Sequence, residues 1–382
     1  MVLSCNDKGL SFPRELTRMN RRPQETSFRK PSSSSSALVL LLAFVINPFA
    51  AECAAQTADN LPYPRSSVIR DMKWAPLKTV VKRAEGSDNW PITWADDDRL
   101  YTAYGDGWGF KPKTKQKLSL GLATIDGSAS DFVGRNLRSS SAEQTGQGRN
   151  GLKASGMLMV DGVLYMWVRN AGNSRLTWSH DRGSSWETAN WKFATSFAAP
   201  TFLNFGRNYE GACDGFVYIY SFDSHSAYKP ADRMVLARVA KGQIRKRDAY
   251  RFFAGSNDQG RPQWVSEIQS RGAVFSHAGK CYRSGITYNS GLKRYIWVQI
   301  LPGDHSSRDK DPRFNGGFGI YDAPKPWGPW TTAFFTKKWD MGPGESARFP
   351  TKWISDDGRT MHLASSTDDC FSVRRVRVII DE

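Results

Sequence analysis

Asp88 and Asp106 are the two residues of this chain best suited to chemistry. The first opens the run Asp88-Asn89-Trp90-Pro91-Ile92-Thr93-Trp94-Ala95. The second follows Tyr101-Thr102-Ala103-Tyr104-Gly105. Both stand among Gly, Asn and aromatic residues, away from any charge run. A carboxylate beside an indole suits a carbohydrate: the ring face stacks on the sugar, and the acid binds a hydroxyl or moves a proton. Glycosidic hydrolysis needs two carboxyls, one to protonate the leaving oxygen and one to act as base or nucleophile. Either Asp alone also reads as a turn residue, because Asp and Gly favour turns for backbone reasons. Two such acids in one unit, with Trp90, Trp94 and Trp108 interleaved, weigh against that reading. Asp96-Asp97-Asp98 reads as the turn itself, so the segment folds back and returns Asp88 and Asp106 to neighbouring positions.

Further candidates are more scattered. Arg169 and Asn170 end a strand-like run, and Arg283 and Arg348 flank others; these are expected to bind sugar hydroxyls or to pair with the aspartates. Glu210 and Asp214 precede a strong strand and are either a third acid of the site or a loop cap. His225, His277 and His305 show no ligand spacing. Asp304, Asp309 and Asp311 around His305 carry oxygen ligands of the kind Ca²⁺ takes, but no calcium-loop signature accompanies them. No metal or other cofactor is assigned.

The elements that must position these residues are strands. Apolar-aromatic runs bounded by Gly, Asp and Asn turns recur at Leu100–Tyr104, Leu118–Ile125, Gly156–Val160, Val163–Arg169, Phe216–Phe222, Met234–Val239, Arg294–Leu301, Gly317–Asp322, Thr360–Ser365 and Phe371–Ile379. Only 229–239 and 261–268 leave room for a short helix. Ser179-His180-Asp181-Arg182-Gly183-Ser184-Ser185-Trp186 fits S-x-D-x-G-x-x-W, the Asp-box turn of sialidase-like β-propellers. Ser355-Asp356-Asp357-Gly358 looks like a degenerate copy. Pro326-Trp327-Gly328-Pro329-Trp330 resembles a phrase of arabinanase-type propellers. The expected fold is all-β, a five-bladed β-propeller over residues 66–382, with acids at the ends of inner strands lining a central funnel.

Composition sets the outer bounds. The chain has 382 residues, with 14 Trp, 21 Phe and 13 Tyr, which favours β-structure with a ligand groove. Arg21, Arg22, Arg29 and Lys30 precede the apolar stretch 37–51 and small residues near Cys53, the pattern of a signal peptide. Residues 1–55 are therefore read as a signal and processing region, 56–65 as a linker, and the mature protein as secreted or periplasmic. The apolar stretch is too short for a stable membrane span. Cys213, Cys281 and Cys370 match no metal motif and form either one disulfide and a thiol or three free thiols. The net charge of +16 includes the strips Lys111, Lys113, Lys115, Lys117 and Arg374, Arg375, Arg377. Neither belongs to a nucleic-acid module; both read as solvated loop and edge-strand residues that block unwanted strand pairing, and a basic surface would still favour acidic surroundings such as anionic polysaccharide. A monomer is expected.

The segment from Asp88 to Gly107 resembles the signature of the domain-of-unknown-function family 4185. Lys153-Ala154-Ser155-Gly156, Ser346–Trp353 and Asp368-Asp369-Cys370-Phe371-Ser372-Val373 also resemble it. The resemblance implies a five-bladed propeller glycoside hydrolase, with some members endo-D-arabinanases, and makes Asp88 and Asp106 the essential pair. Trp90 and Trp108 would then be sugar platforms. Lys153 and Asp369, which stand in the resembling segments, join Arg169, Asn170, Asp214, Arg283 and Arg348 in the substrate-binding set. The expected function is hydrolysis of an arabinan-like polysaccharide. A non-catalytic carbohydrate-binding propeller is second. An exo-sialidase, which needs a Tyr nucleophile and an Arg triad, is third.

Overall fold

Turn chemistry sets the strand pairing. Asp161 and Gly162 both take positive φ, 48° and 77°, which a two-residue hairpin turn demands. They join Lys153–Val160 to Val163–Arg169, paired from Val160↔Val163 to Lys153↔Arg169. The Asp96–Asp98 segment does the same for Asp88–Trp94 and Leu100–Gly105: Asp98 has φ 66°, and Ala95 N–H donates to the Arg99 carbonyl at 2.9 Å. The computed structural model describes residues 61–303 and 316–380. The expected export signal, Cys53, the start of the linker and the Asp304–Asp311 cluster with His305 lie outside the described residues.

Five antiparallel blades follow one another along the chain, the third and fourth joined into one ten-stranded sheet by a parallel pairing of their first strands. Blade one is Asp88–Trp94, Leu100–Gly105, Gly121–Ser128 and Asp131–Leu137. Blade two is Lys153–Val160, Val163–Arg169, Ser174–Ser179 and Glu187–Thr188. Blade three is Thr201–Asn204, Phe216–Phe222 and Ala231–Ala240, with Arg251–Ser256 and Phe275–Cys281 both pairing to the third strand. Blade four is Ser284–Asn289, Arg294–Ile300, Phe318–Ala323 and Thr331–Thr336. Blade five is Gly344–Arg348, Thr360–Thr367 and Phe371–Ile380, completed by Ile69–Trp74 from the other end of the chain.

The first strands of the blades form a closed ring. Ser346 Oγ of blade five donates to the Asn89 carbonyl of blade one, and Asn89 Nδ2 donates to the Ala154 carbonyl of blade two. Met159 N–H donates to Thr93 Oγ1 at 2.8 Å. Asn204 Nδ2 of blade three reaches the Met157 carbonyl at 3.5 Å. Leu203 and Asn204 pair in parallel with Ile286 and Thr287 of blade four. Thr287 Oγ1 donates to the Phe349 carbonyl at 2.7 Å, returning to blade five. The partners advance together, 89 with 154 and 93 with 159, so the five strands run in one sense around the axis. Gly285 permits the tightest approach: a Cβ there would lie 2.5 Å from Arg348 Cβ.

The core lies between neighbouring blades, as a ring of facing sheets requires. One cluster joins blades one and two through Leu120, Leu122, Met157 and Met166. The largest spans blades two to four, around Trp167, Phe202, Tyr220 and Trp297. Ile296, Ile320, Met361 and Val376 join four to five. Trp90, Tyr104 and Phe110 pack on Phe371 and Val373, joining five back to one. The protein is an all-β, five-bladed β-propeller.

Side chains bridge the backbone in two local turns. In Ser179–Trp186, Gly183 N–H donates to Ser179 Oγ at 2.7 Å, Ser185 N–H to Asp181 Oδ1 at 2.8 Å and Trp186 Nε1 to the Gly183 carbonyl at 3.0 Å. Ser355 and Asp357 repeat part of this, with Arg359 N–H on Asp357 Oδ1 at 2.9 Å. The two segments with helical potential are not α-helices: 231–240 is a full strand and 262–265 a short one, followed by a single 3-10 turn. Among the described residues Cys213, Cys281 and Cys370 are all free thiols, so no disulfide joins any two of them.

Candidate functional site

Because the inner strands run in one sense, their starting ends meet at one mouth of the funnel. Asp88 and Lys153 are the first residues of their strands, Arg283 precedes Ser284–Asn289, and Glu345 is the second residue of Gly344–Arg348. The second strands run back and finish at the same mouth, which brings Asp106 and the Arg169–Asn170 pair there. The turn carrying Asp369 lies at that end of blade five.

Asp88 pairs across the hairpin with Gly105, and the missing side chain of Gly105 is what the site occupies. A Cβ there would lie 2.5 Å from Asp88 Oδ1 and 3.5 Å from Lys153 Nζ. Lys153 is buried and ion-paired with Asp106 Oδ1. The other oxygen of Asp106 accepts the Gly148 N–H at 3.1 Å. Asp106 itself sits at φ 41°, a left-handed conformation that Asp tolerates better than most residues. The Gly148 loop is tied down from the far side: Tyr228 Oη donates to the Gly148 carbonyl at 2.8 Å, and Asn170 Nδ2 donates to the Gly151 carbonyl at 2.7 Å and to Tyr228 Oη at 3.0 Å.

Glu345 bonds Arg283 Nη1 at 2.6 Å in a largely buried pair. Arg169, Arg283 and Arg149 all lie over the Tyr228 ring, at 5.6, 5.6 and 5.1 Å. The electrostatics split the carboxyls. Burial, then repulsion from Glu345, raises Asp88; Lys153 and Arg169 oppose, Asp106 adds to the rise, and the result is about 8. Burial also works to raise Glu345, but Arg283, Arg169 and Lys153 together hold it below the usual carboxylate range. Asp369 is raised by desolvation first and then by Glu345, with Lys117 opposing. One mouth thus holds a protonated acid beside ion-paired carboxylates, the division that acid–base chemistry needs.

Three expected site residues are elsewhere. Trp90 is 1% exposed and packs against Tyr104, Phe110 and Phe371, so it is core and not a sugar platform. The cause is a bulge between Asn89 and Ile92, with φ 86° at Asn89 and 52° at Trp90, which turns the indole between blades one and five. Asp214 precedes the second strand of blade three, at the opposite end of the ring. Its oxygens accept Phe216 N–H at 2.9 Å and Tyr218 Oη at 2.6 Å, so it is a loop cap; Glu210 is an exposed residue of the same loop. Arg348 lines the channel below the mouth with Ile92, Thr93, Phe202, Asn204 and Thr287, where burial lowers it to about 10.

Trp108 stays at the rim, half-buried, with Lys113 and Lys117 Nζ 5.4 and 5.5 Å from its ring centre. Glu345 and Tyr228 are members of the site that sequence reasoning misses. Glu345 stands one residue before the resembling Ser346–Trp353 segment, and a lone acid between Gly344 and Ser346 at the head of an apolar run is the available signal. Tyr228 lies in a polar loop with nothing to mark it. Among the described residues no group of three His, Cys, Asp or Glu side chains could hold a metal ion, and no helix is long and apolar enough to cross a membrane.

No family model matches the sequence and no curated protein matches it, so the resemblance to family 4185 rests on the quoted motifs alone. Among solved structures, the chain is similar to RS223-beta-xylosidase, at 10% identity over 78% of this chain and 94% of that one, TM-score 0.45. A GH43_1 enzyme from Xanthomonas citri in complex with xylose shows 12% identity over 82% and 93%, TM-score 0.44. A glycosyl hydrolase from Bacteroides ovatus shows 11% identity over 84% and 96%, TM-score 0.44. Likeness at this level carries no argument about chemistry; the ring of hydrogen bonds establishes the fold, and the mouth must speak for the reaction.

Proposed function

We propose that this protein is a glycoside hydrolase whose reaction takes place at the funnel mouth, with Asp88 as general acid and Asp106 as its carboxylate partner. The carrying observation is the geometry of the mouth: Asp88 Oδ1 and Lys153 Nζ face the same gap over Gly105, and Lys153 is paired to Asp106, while burial and Glu345 push the Asp88 carboxyl up to about 8. Protonation of the leaving oxygen by Asp88 and attack by water or carboxylate on the Asp106 side completes the reaction. Lys153 holds Asp106 in place, and Asn170 and Tyr228 hold the Gly148 loop that donates to it. Trp108 offers the rim platform for a sugar ring.

The motif resemblance favours an arabinan-like polysaccharide as substrate, and the N-terminal pattern favours a secreted or periplasmic protein. An exo-sialidase would need a tyrosine free to attack. The Tyr228 hydroxyl is instead engaged with the Gly148 carbonyl and Asn170 Nδ2. Release of reducing ends from a panel of arabinans and other plant and bacterial polysaccharides tests the reading. Asp88→Asn and Asp106→Asn should each cut kcat by about 10²–10⁴-fold, the usual worth of acid–base groups. The wild-type rate should fall as pH rises through about 8, where Asp88 loses its proton. Binding of a polysaccharide without bond cleavage, or full activity in both variants, would leave a carbohydrate-binding propeller instead.

A further inference from the structure

Arg169 is 1% exposed, and among the described residues neither Nη1 nor Nη2 has a hydrogen-bond partner. A buried guanidinium with empty donors is costly unless something outside the chain fills them. The neighbouring charges do not. Asp106 is committed to Lys153 and Glu345 to Arg283, while burial keeps the Asp88 carboxyl protonated at neutral pH. Both Nη groups of a planar fork are left unpaired beside the mouth, shielded from bulk solvent. That fork matches the oxygens of a carboxylate or an ester sulfate. The basic character continues outward. Arg149, exposed at the rim, lies 5.1 Å from the same Tyr228 ring, and Lys113 and Lys117 flank Trp108.

We propose that the substrate, an arabinan-like or other polysaccharide, carries an anionic oxygen group, a sugar carboxylate or sulfate ester, and that Arg169 receives it. This rests on the glycoside hydrolase reading for the word substrate, but the binding site stands on its own geometry. Arg169 bonds the anion through Nη1 and Nη2, the Tyr228 ring supports the guanidinium face, and the Lys113–Trp108–Lys117 rim takes the next acidic residue of a chain. The unpaired fork is then a selectivity device, because a neutral sugar would leave it empty.

Calorimetric titration with an oligogalacturonate, a sulfated oligosaccharide and a neutral arabino-oligosaccharide tests this on the wild type and on Arg169→Met. One or both acidic ligands should bind the wild type at least about 10-fold more tightly than the neutral one, and high salt should weaken that preference. Which acidic ligand responds names the group. Arg169→Met should weaken acidic binding about 10- to 100-fold, the worth of a charged hydrogen-bond pair, and weaken the neutral ligand far less. The Tm of Arg169→Met should hold or rise, since a buried charge with unpaired donors is removed. Equal binding of all three ligands would overturn the proposal, as would a variant that loses Tm and all binding together. Acidic binding with no bond cleavage on any substrate would sink the hydrolase reading alone. Cleavage of neutral glycans with no acidic preference would sink this inference alone.

Discussion

Replacing Asp88 by asparagine tests the site without knowing its substrate. In the folded chain the Asp88 carboxyl lies at about 8, against 3.8 for the free side chain. Between those values the folded state holds a proton that the unfolded state has released. Stability from this group is therefore full below about pH 4 and is lost as pH rises through about 8, at about 1.4 kcal/mol per pH unit. Over the whole window the ceiling is about 6 kcal/mol. The amide of Asp88→Asn keeps the size and the neutral hydrogen-bonding character of the protonated acid but cannot titrate. Urea denaturation followed by tryptophan fluorescence, at a series of pH values from about 5 to 9, gives the unfolding free energy of both proteins. The wild-type value minus the variant value should fall steadily with pH and level off above about 8. A difference that stays constant, or rises with pH, would mean that Asp88 is an ionised carboxylate paired with Lys153 or Arg169, and the general-acid assignment would go with it.

Gly105→Ala should lower kcat and cost about 1–3 kcal/mol of stability as overpacking, because the added methyl comes within 2.5 Å of Asp88 Oδ1 and displaces the carboxyl; unchanged turnover would show that the Asp88 position is not critical. Glu345→Gln leaves Arg283 buried without its counter-charge and should cost about 3–5 kcal/mol in denaturant unfolding. Trp90→Ala should cost about 3–5 kcal/mol as a core cavity, whereas Trp108→Ala should raise KM with Tm nearly unchanged; the reverse pattern would restore Trp90 as a sugar platform.

The parts of the molecule legible in the sequence are those governed by local rules. Asp161-Gly162 and Asp96–Asp98 announce their hairpins, and strands such as Val163–Arg169 and Phe216–Phe222 have the bounds that their turn signals imply. The juxtaposition of Asp88 and Asp106 follows from one of those hairpins. The inner strands Thr201–Asn204, Ser284–Asn289 and Gly344–Arg348 are harder to see. They are short and buried on both faces, so they lack the alternation that marks a half-exposed strand. Glu345 is hidden with its strand. Trp90 departs from expectation because a bulge reverses the direction that simple alternation assigns it. The pairing of Arg283 with Glu345 joins two blades, and no local pattern encodes it.

The closing strand has a consequence for when the site comes into being. Ile69–Trp74 pairs with Phe371–Ile380, so the ring is shut by the two extremities of the domain. The hairpins of blades one to four are local and can form while later sequence is still being synthesised, but the last blade must wait for residues near 380. The entropy of bringing such distant segments together grows only slowly with their separation, yet contacts of this range make folding slow. Asp88 and Asp106 belong to the first blade and Glu345 to the last, so the division of charge that keeps Asp88 protonated is absent from any open intermediate. During refolding, secondary structure should therefore return well before the catalytic mouth, and a chain cut short of its final strand would be largely β-structured and chemically inert.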